Sequence, residues 1–127
     1  MSVATTNYRV LGAVGEELAC QFLRHEGFKT LVRNYTCPLG EIDLICRDGD
    51  TLVFVEVKAR RSDSAGEPLE SITYRKRTQI IRCAKYYLTR FGLHDRPCRF
   101  DAVSVKLGPD GQASIERAPD AFREGGL

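Results

Sequence analysis

Gly40-Glu41-Ile42-Asp43-Leu44-Ile45 and Val53-Phe54-Val55-Glu56-Val57-Lys58 read as two strands of one hairpin, joined through Arg47-Asp48-Gly49-Asp50-Thr51. A two-residue loop at Gly49-Asp50, with glycine first, suits a type II′ turn. Apolar residues then fall on both pleated faces: Ile42, Leu44, Val53, Val55 and Val57 on one, Ile45, Leu52 and Phe54 on the other. A sheet buried on both faces needs helices on both sides. This hairpin therefore predicts an α/β chain with the sheet in the middle layer.

The same register sets Asp43 directly opposite Glu56. On a shared face their Cβ atoms would be about 5 Å apart, and like charges so opposed are destabilising. Burying either charge among Val53, Phe54, Val55 and Val57 costs more unless it has a partner. A divalent cation between the carboxylates is the usual resolution. Lys58 follows Glu56 by two residues and projects from the same face. Two carboxylates and an ammonium around one point suit metal-assisted hydrolysis, with phosphodiesters the expected substrate. The competing reading is a solvated strand face carrying a surface Glu–Lys pair; the apolar neighbours leave little exposed strand for it.

Outward from the hairpin, residues 9–26 carry Leu11, Val14, Leu18, Ala19, Phe22 and Leu23 at helical spacing, and Gly27 stops the helix. Glu17 points away from that stripe into solvent. Glu16 falls at its margin, either a boundary glutamate or an acid reaching over the sheet. Residues 28–35 read as a strand, broken by Pro38-Leu39-Gly40. Residues 62–70 read as a flexible, substrate-contacting loop. A second helix is predicted over 71–92, with Ser71 as its N-cap and Gly92 as its stop. Lys76 lies inside that helix's apolar stripe, and either snorkels to solvent or meets the carboxylates. Strands follow at 99–107 and, more weakly, at 112–118. The helix between the third and fourth strands is long enough for a crossover.

With 127 residues, 43% hydrophobic and 28% charged, the chain fits one soluble globular domain. No apolar run approaches ~20 residues, so no membrane span or membrane partner is expected. The N-terminus lacks the apolar core of a secretory signal. Five scattered cysteines form no C-x-x-C pair and suit a reduced, cytoplasmic compartment better than a zinc site. A net charge of +2 exerts no strong global field. Its distribution is more informative: Arg60, Arg61, Arg75, Lys76 and Arg77 follow the hairpin and read as a phosphate-binding rim for nucleic acid, most naturally DNA. The bland alternative is a solvated basic helix face.

This arrangement resembles the PD-(D/E)XK nuclease superfamily, with Ile42-Asp43 where the family name has Pro-Asp. More closely, the chain resembles the YraN family of bacterial proteins, relatives of archaeal Holliday junction resolvases. The matching pieces are Gly15-Glu16-Glu17-Leu18-Ala19, Arg33-Asn34, both hairpin stretches, Arg75-Lys76 and Arg99-Phe100-Asp101. The resemblance implies a restriction-endonuclease-like α/β/α sandwich, with a central mixed sheet and helices on both faces. One domain would span 1–127, with 119–127 a frayed tail. Asp43, Glu56 and Glu16 would ligate Mg2+ or Mn2+ with the backbone carbonyl of Val57. Lys58 would orient or activate the attacking water, completing a catalytic set of Asp43, Glu56, Lys58 and Glu16. Arg33 would contact phosphate. Gln79 stands where this family commonly has a basic residue. The resemblance speaks to fold more than to activity.

Three functions follow for testing. One is a metal-dependent endonuclease acting on DNA, branched or damaged DNA included. The second is a non-catalytic nucleic-acid-binding module of the same fold. The third is a scaffold whose acids hold a structural ion. A pure binder has no need of opposed acids, and a structural ion site has no need of Lys58. Oligomeric state stays open, a homodimer among the options.

Overall fold

Asp48 pairs with Thr51 across the two-residue turn Gly49-Asp50 in the computed structural model, which describes residues 8–62 and 72–124. Gly49 has φ +60° and Asp50 has no positive φ, as a type II′ turn requires. From this turn, β2 (Gly40–Asp48) and β3 (Thr51–Arg61) run antiparallel through Leu44↔Val55. β1 (Lys29–Cys37) flanks β2, and the chain reaches it from α1 (Tyr8–His25). After β3 the chain crosses through α2 (Tyr74–Arg90) into β4 (Cys98–Leu107), which pairs with β3 in parallel. β5 (Ala113–Phe122) closes the far edge, antiparallel to β4. The result is a five-stranded mixed sheet in the order β1-β2-β3-β4-β5. The parallel β3–β4 pair is the one place where a crossover helix is obligatory.

Each face carries one helix, giving the expected α/β/α layers. Ala19 and Leu23 of α1 pack with Phe28 on Leu44, Cys46, Val53, Val55, Val103 and Val105. Ile80, Cys83, Ala84 and Tyr87 of α2 pack on the opposite face, against Ile45, Leu52, Phe54, Phe100 and Phe122. Close approach of α1 depends on Gly15, where a Cβ would sit 2.4 Å from the Ala59 Cβ. Any side chain there would push the helix, and Glu16 with it, off β3. No helix among the described residues is long and apolar enough to cross a membrane.

Three expectations need correction. Ile42, expected beside Leu44, packs with Ile45 on the α2 face, so the pleat's alternation slips across Asp43. Helix α2 begins later than predicted. Its N-cap is Thr73, in extended conformation, whose hydroxyl accepts from the Lys76 N–H at 3.1 Å. Ser71 and the predicted loop beyond Ser62 lie outside the described residues. The tail expected to fray from 119 is instead strand through Phe122, which is buried against Phe100 with ring centroids 5.1 Å apart. An aromatic in the core outweighs Pro119, which an edge strand tolerates.

Candidate active site

The slip at Asp43 makes the site. Pairing between β2 and β3 stops at Leu44↔Val55, one rung short of Asp43 and Glu56. β3 nevertheless continues against β4 as far as Arg61↔Leu107. At the fork, the Asp43 carboxylate takes the place of a ladder carbonyl: its Oδ2 accepts from the Val57 N–H at 2.8 Å. On the other side of β2, pairing is observed at Arg33↔Leu44 and Tyr35↔Ile42. Between them Asn34 takes φ +52°, a left-handed conformation that Asn tolerates better than most residues. The expected face-to-face rung is thus replaced by a parting of strands, which places Asp43 in the gap.

Glu56 is buried, 9% exposed, on the α2 side of the sheet. Burial pushes its carboxyl up to about 8; the Asp43 charge and a side-chain hydrogen bond shared with Asp43 push the same way. Lys76 and Lys58 oppose the shift. Lys76 reaches inward from α2, its Nζ 3.9 Å from Glu56 Oε2. That distance is the limit of an ion pair, so the Glu56 charge is only partly offset. Glu16 is half-buried on α1. Burial raises its carboxyl, Asp43 raises it further, and a side-chain hydrogen bond with Asn34 opposes both.

The predicted residues are therefore not all in one place. Asp43, Glu56, Lys58 and Lys76 share a local field, and Glu16 approaches Asp43 from the α1 side. The pleat sends Glu56, Lys58 and Arg60 to the α2 side, whereas Val57 and Ala59 pack with the α1 cluster. Arg61 follows Val57 and Ala59, so the two arginines of the predicted rim point to opposite faces. Arg75 is exposed at the start of α2, beside half-buried Arg77. Arg33 lies on β1 and pairs with Glu17 Oε1 at 2.7 Å across an exposed surface. That hydrogen bond lowers the Glu17 carboxyl. His25 and His94 are both exposed.

The donors suit a hard divalent cation. Asp43 Oδ2 is engaged with Val57 N–H, which leaves Oδ1 and the Glu56 oxygens as the available carboxylate ligands. A raised Glu56 carboxyl beside another carboxylate is a site where cation binding relieves repulsion. No group of three or more His, Cys, Asp or Glu converges on one point among the described residues. Two carboxylates are compatible with Mg2+, which keeps several of its waters.

Two features, one at the site and one on the opposite face of the sheet, were not legible in the sequence. Asn34 looks like an ordinary strand residue until its φ is known. Asp101 is fully buried, held by Arg99 at 3.0 Å, Arg117 at 3.2 Å and the Asp120 N–H at 2.9 Å. Both arginines also lie over the Phe28 ring.

Residues 15–105, from the close-packed Gly15 into β4, match the model of the uncharacterised protein family UPF0102. The chain belongs to that family. The YraN resemblance and this match are one and the same family. A UPF0102 protein of Symbiobacterium thermophilum is 45% identical over 114 residues, covering 90% of this chain and 97% of that protein. Another, from Moorella thermoacetica, is 47% identical over 119 residues, covering 93% and 99%. One from Pseudomonas aeruginosa is 50% identical over 103 residues, covering 80% and 82%. UPF0102 membership reaches both arms of the fork and both helices; the family itself has no assigned activity.

Proposed function

We propose that the protein is a metal-dependent endonuclease that hydrolyses phosphodiesters in DNA. One observation carries this reading: the buried Glu56 carboxyl, raised to about 8, set against Asp43 where β2 and β3 part. An unrelieved acid pair in a partly dry site costs stability, and such costs concentrate where chemistry is done. Asp43 and Glu56 would hold Mg2+ or Mn2+, with the Val57 carbonyl and Glu16 as further candidate ligands. The cation would lower the pKa of a bound water and offset phosphate charge. Lys58 would orient the attacking water and steady the charge that develops on phosphorus. Lys76, at 3.9 Å from Glu56, would favour the ionised form of that carboxyl once a cation is bound and would meet the phosphate. Arg60, Arg61, Arg75, Arg77 and Arg33 are the candidate contacts to the flanking backbone.

The test is incubation of the purified protein with labelled linear, flap and four-way-junction DNA in Mg2+, Mn2+ or EDTA. Cleavage that EDTA and Glu56→Gln both abolish is expected. Cleavage indifferent to either would sink the nuclease reading. A second reading, a binding module without turnover, draws on the lack of a convergent third ligand among the described residues. Salt-sensitive binding of DNA that is never cut would favour it.

A further inference from the structure

An open groove of about 560 Å3 lies between the β1–β2 turn and the start of α2, lined by Leu39, Tyr74, Arg75, Lys76, Gln79 and Arg82. Two observations single it out. The first is charge. The opening turn of α2 holds Arg75, Lys76 and Arg77 and no acid. A helix N-terminus carries the positive end of the macrodipole, where cations are unfavourable and anions favoured. This helix places cations there, and Arg82 adds another to the groove. A bound polyanion would relieve that arrangement.

The second is apolar surface in the same groove. Tyr74 is 76% exposed and Leu39 48% exposed. Singly, such side chains are ordinary on a protein surface. Here an aromatic ring and an aliphatic wall line one cationic groove, the combination that binds unpaired nucleotides by stacking and phosphate contact. The groove borders the acid pair through one shared residue, Lys76, which lines it and whose Nζ is 3.9 Å from Glu56.

We infer that this groove takes an unpaired stretch of polynucleotide, with a base stacked on Tyr74 against Leu39 and its phosphates on Arg75, Lys76 and Arg82. In a duplex, every base face is occupied by its neighbours. A stacking platform in the groove therefore selects single strands, flaps or gaps, and delivers the adjoining phosphodiester towards Asp43 and Glu56. The inference deepens, and rests on, the nucleic-acid reading above.

The experiment uses fluorescence anisotropy with a short labelled oligonucleotide, single-stranded and as a blunt duplex of the same sequence, in EDTA so that nothing is cut. Wild type should bind the single strand more tightly. Tyr74→Leu should weaken single-strand binding about tenfold and leave duplex binding nearly unchanged, whereas Tyr74→Phe, which keeps the ring, should match wild type. Tyr74 is exposed, so these variants should fold, and matching thermal melts would verify it. Equal loss on both substrates, or no loss on the single strand, overturns the stacking site and leaves the nuclease reading standing. No binding of either substrate by wild type overturns the stacking site, and the cleavage assay in Mg2+ or Mn2+ decides the nuclease reading separately.

Discussion

Two buried acids lie one rung apart on the β3–β4 ribbon, on opposite faces of the sheet, and they are treated in opposite ways. Asp101 pairs beside Val55 and faces α1; Glu56 pairs beside Ala102 and faces α2. Asp101 is wholly buried, yet two guanidiniums and a backbone N–H satisfy it. Arg99 extends the network to Asp48 at the hairpin end, 3.0 Å away. Glu56 meets another carboxylate, an ammonium at the edge of pairing distance and the field of Lys58. Burial alone therefore does not mark a site. What separates the two acids is whether the fold supplies the partners that burial demands. Where it supplies them, the acid is structural; where it does not, something from outside is expected to complete the set.

The comparison is sharpest in its response to pH. The Glu56 carboxyl ordinarily titrates near 4.5 and is raised to about 8 in the fold. Between those values the folded chain holds a proton that the unfolded chain has released. Metal-free stability should therefore be fully present below about 4.5, fall as pH rises through the window, and level off above about 8. The slope is up to about 1.4 kcal/mol per pH unit, the largest effect expected. Glu56→Gln should flatten it. Urea melts across the window measure both, and an equal slope in wild type and variant would assign the titration to another group. Added Mg2+ should matter most at the alkaline end, because cation and proton compete for the same oxygens.

Removing the satisfied acid should act differently. Asp101→Ala leaves Arg117 and Arg99 without their shared carboxylate. The expected loss is roughly 3 kcal/mol, the low end for breaking a buried pair, because the guanidiniums keep 22–24% exposure. The loss should be insensitive to divalent cations. A loss relative to wild type that changed with added metal would erase the distinction between the two acids.

Much of this fold was legible because the sequence states it locally. The hairpin register followed from Gly49-Asp50 and apolar alternation, and both helices followed from their stripes. The crossover between β3 and β4 followed from the length of the helix between them, whereas the sheet order, with β4 beside β3, came only from the structure. The site was half legible: opposed acids could be read, but not the parting of strands that turns Asp43 into a partner for Val57 N–H. That depends on Asn34 in a left-handed conformation, and on Ile42 changing faces. Neither leaves a mark in periodicity, because each is settled by packing from another strand. The Asp101 network was illegible for the same reason. Its partners Arg117 and Asp120 come from β5, sixteen or more residues away.

Asp43→Asn tests the acid pair with less force. The amide oxygen can still accept from Val57 N–H, so the fork should survive. Removing the Asp43 charge makes Glu56 easier to ionise, so the metal-free variant should be more stable near neutral pH by up to about 1 kcal/mol. Wild type should gain about 1.4 kcal/mol at a Mg2+ or Mn2+ concentration roughly ten times Kd, and the variant little. Thermal melts with metal and with EDTA decide this. Equal metal-induced shifts would remove Asp43 from the ligand set. A clear loss of stability in the metal-free variant would make Asp43 a satisfied acceptor like Asp101.

The smallest expected effect concerns an acid of a third kind. Glu17 is exposed and has its partner: its Oε1 is 2.7 Å from Arg33 Nη2 and its Oε2 accepts from Gln21 at 2.9 Å. An exposed pair in water contributes little, so Glu17→Gln should leave the melting temperature unchanged. Its consequence should lie in binding. If Arg33 contacts DNA phosphate, Glu17 competes with that phosphate for the guanidinium and also repels it. Glu17→Gln should then tighten DNA binding modestly at low salt, and the gain should shrink as salt screens the charges. Arg33→Ala should weaken binding, and the double variant should match Arg33→Ala if Glu17 acts only through that guanidinium. Anisotropy titrations at two salt concentrations measure all four proteins. A gain that persists in the Arg33→Ala background would mean that Glu17 acts by bulk charge alone, and unchanged binding by Arg33→Ala would remove Arg33 from the set of phosphate contacts.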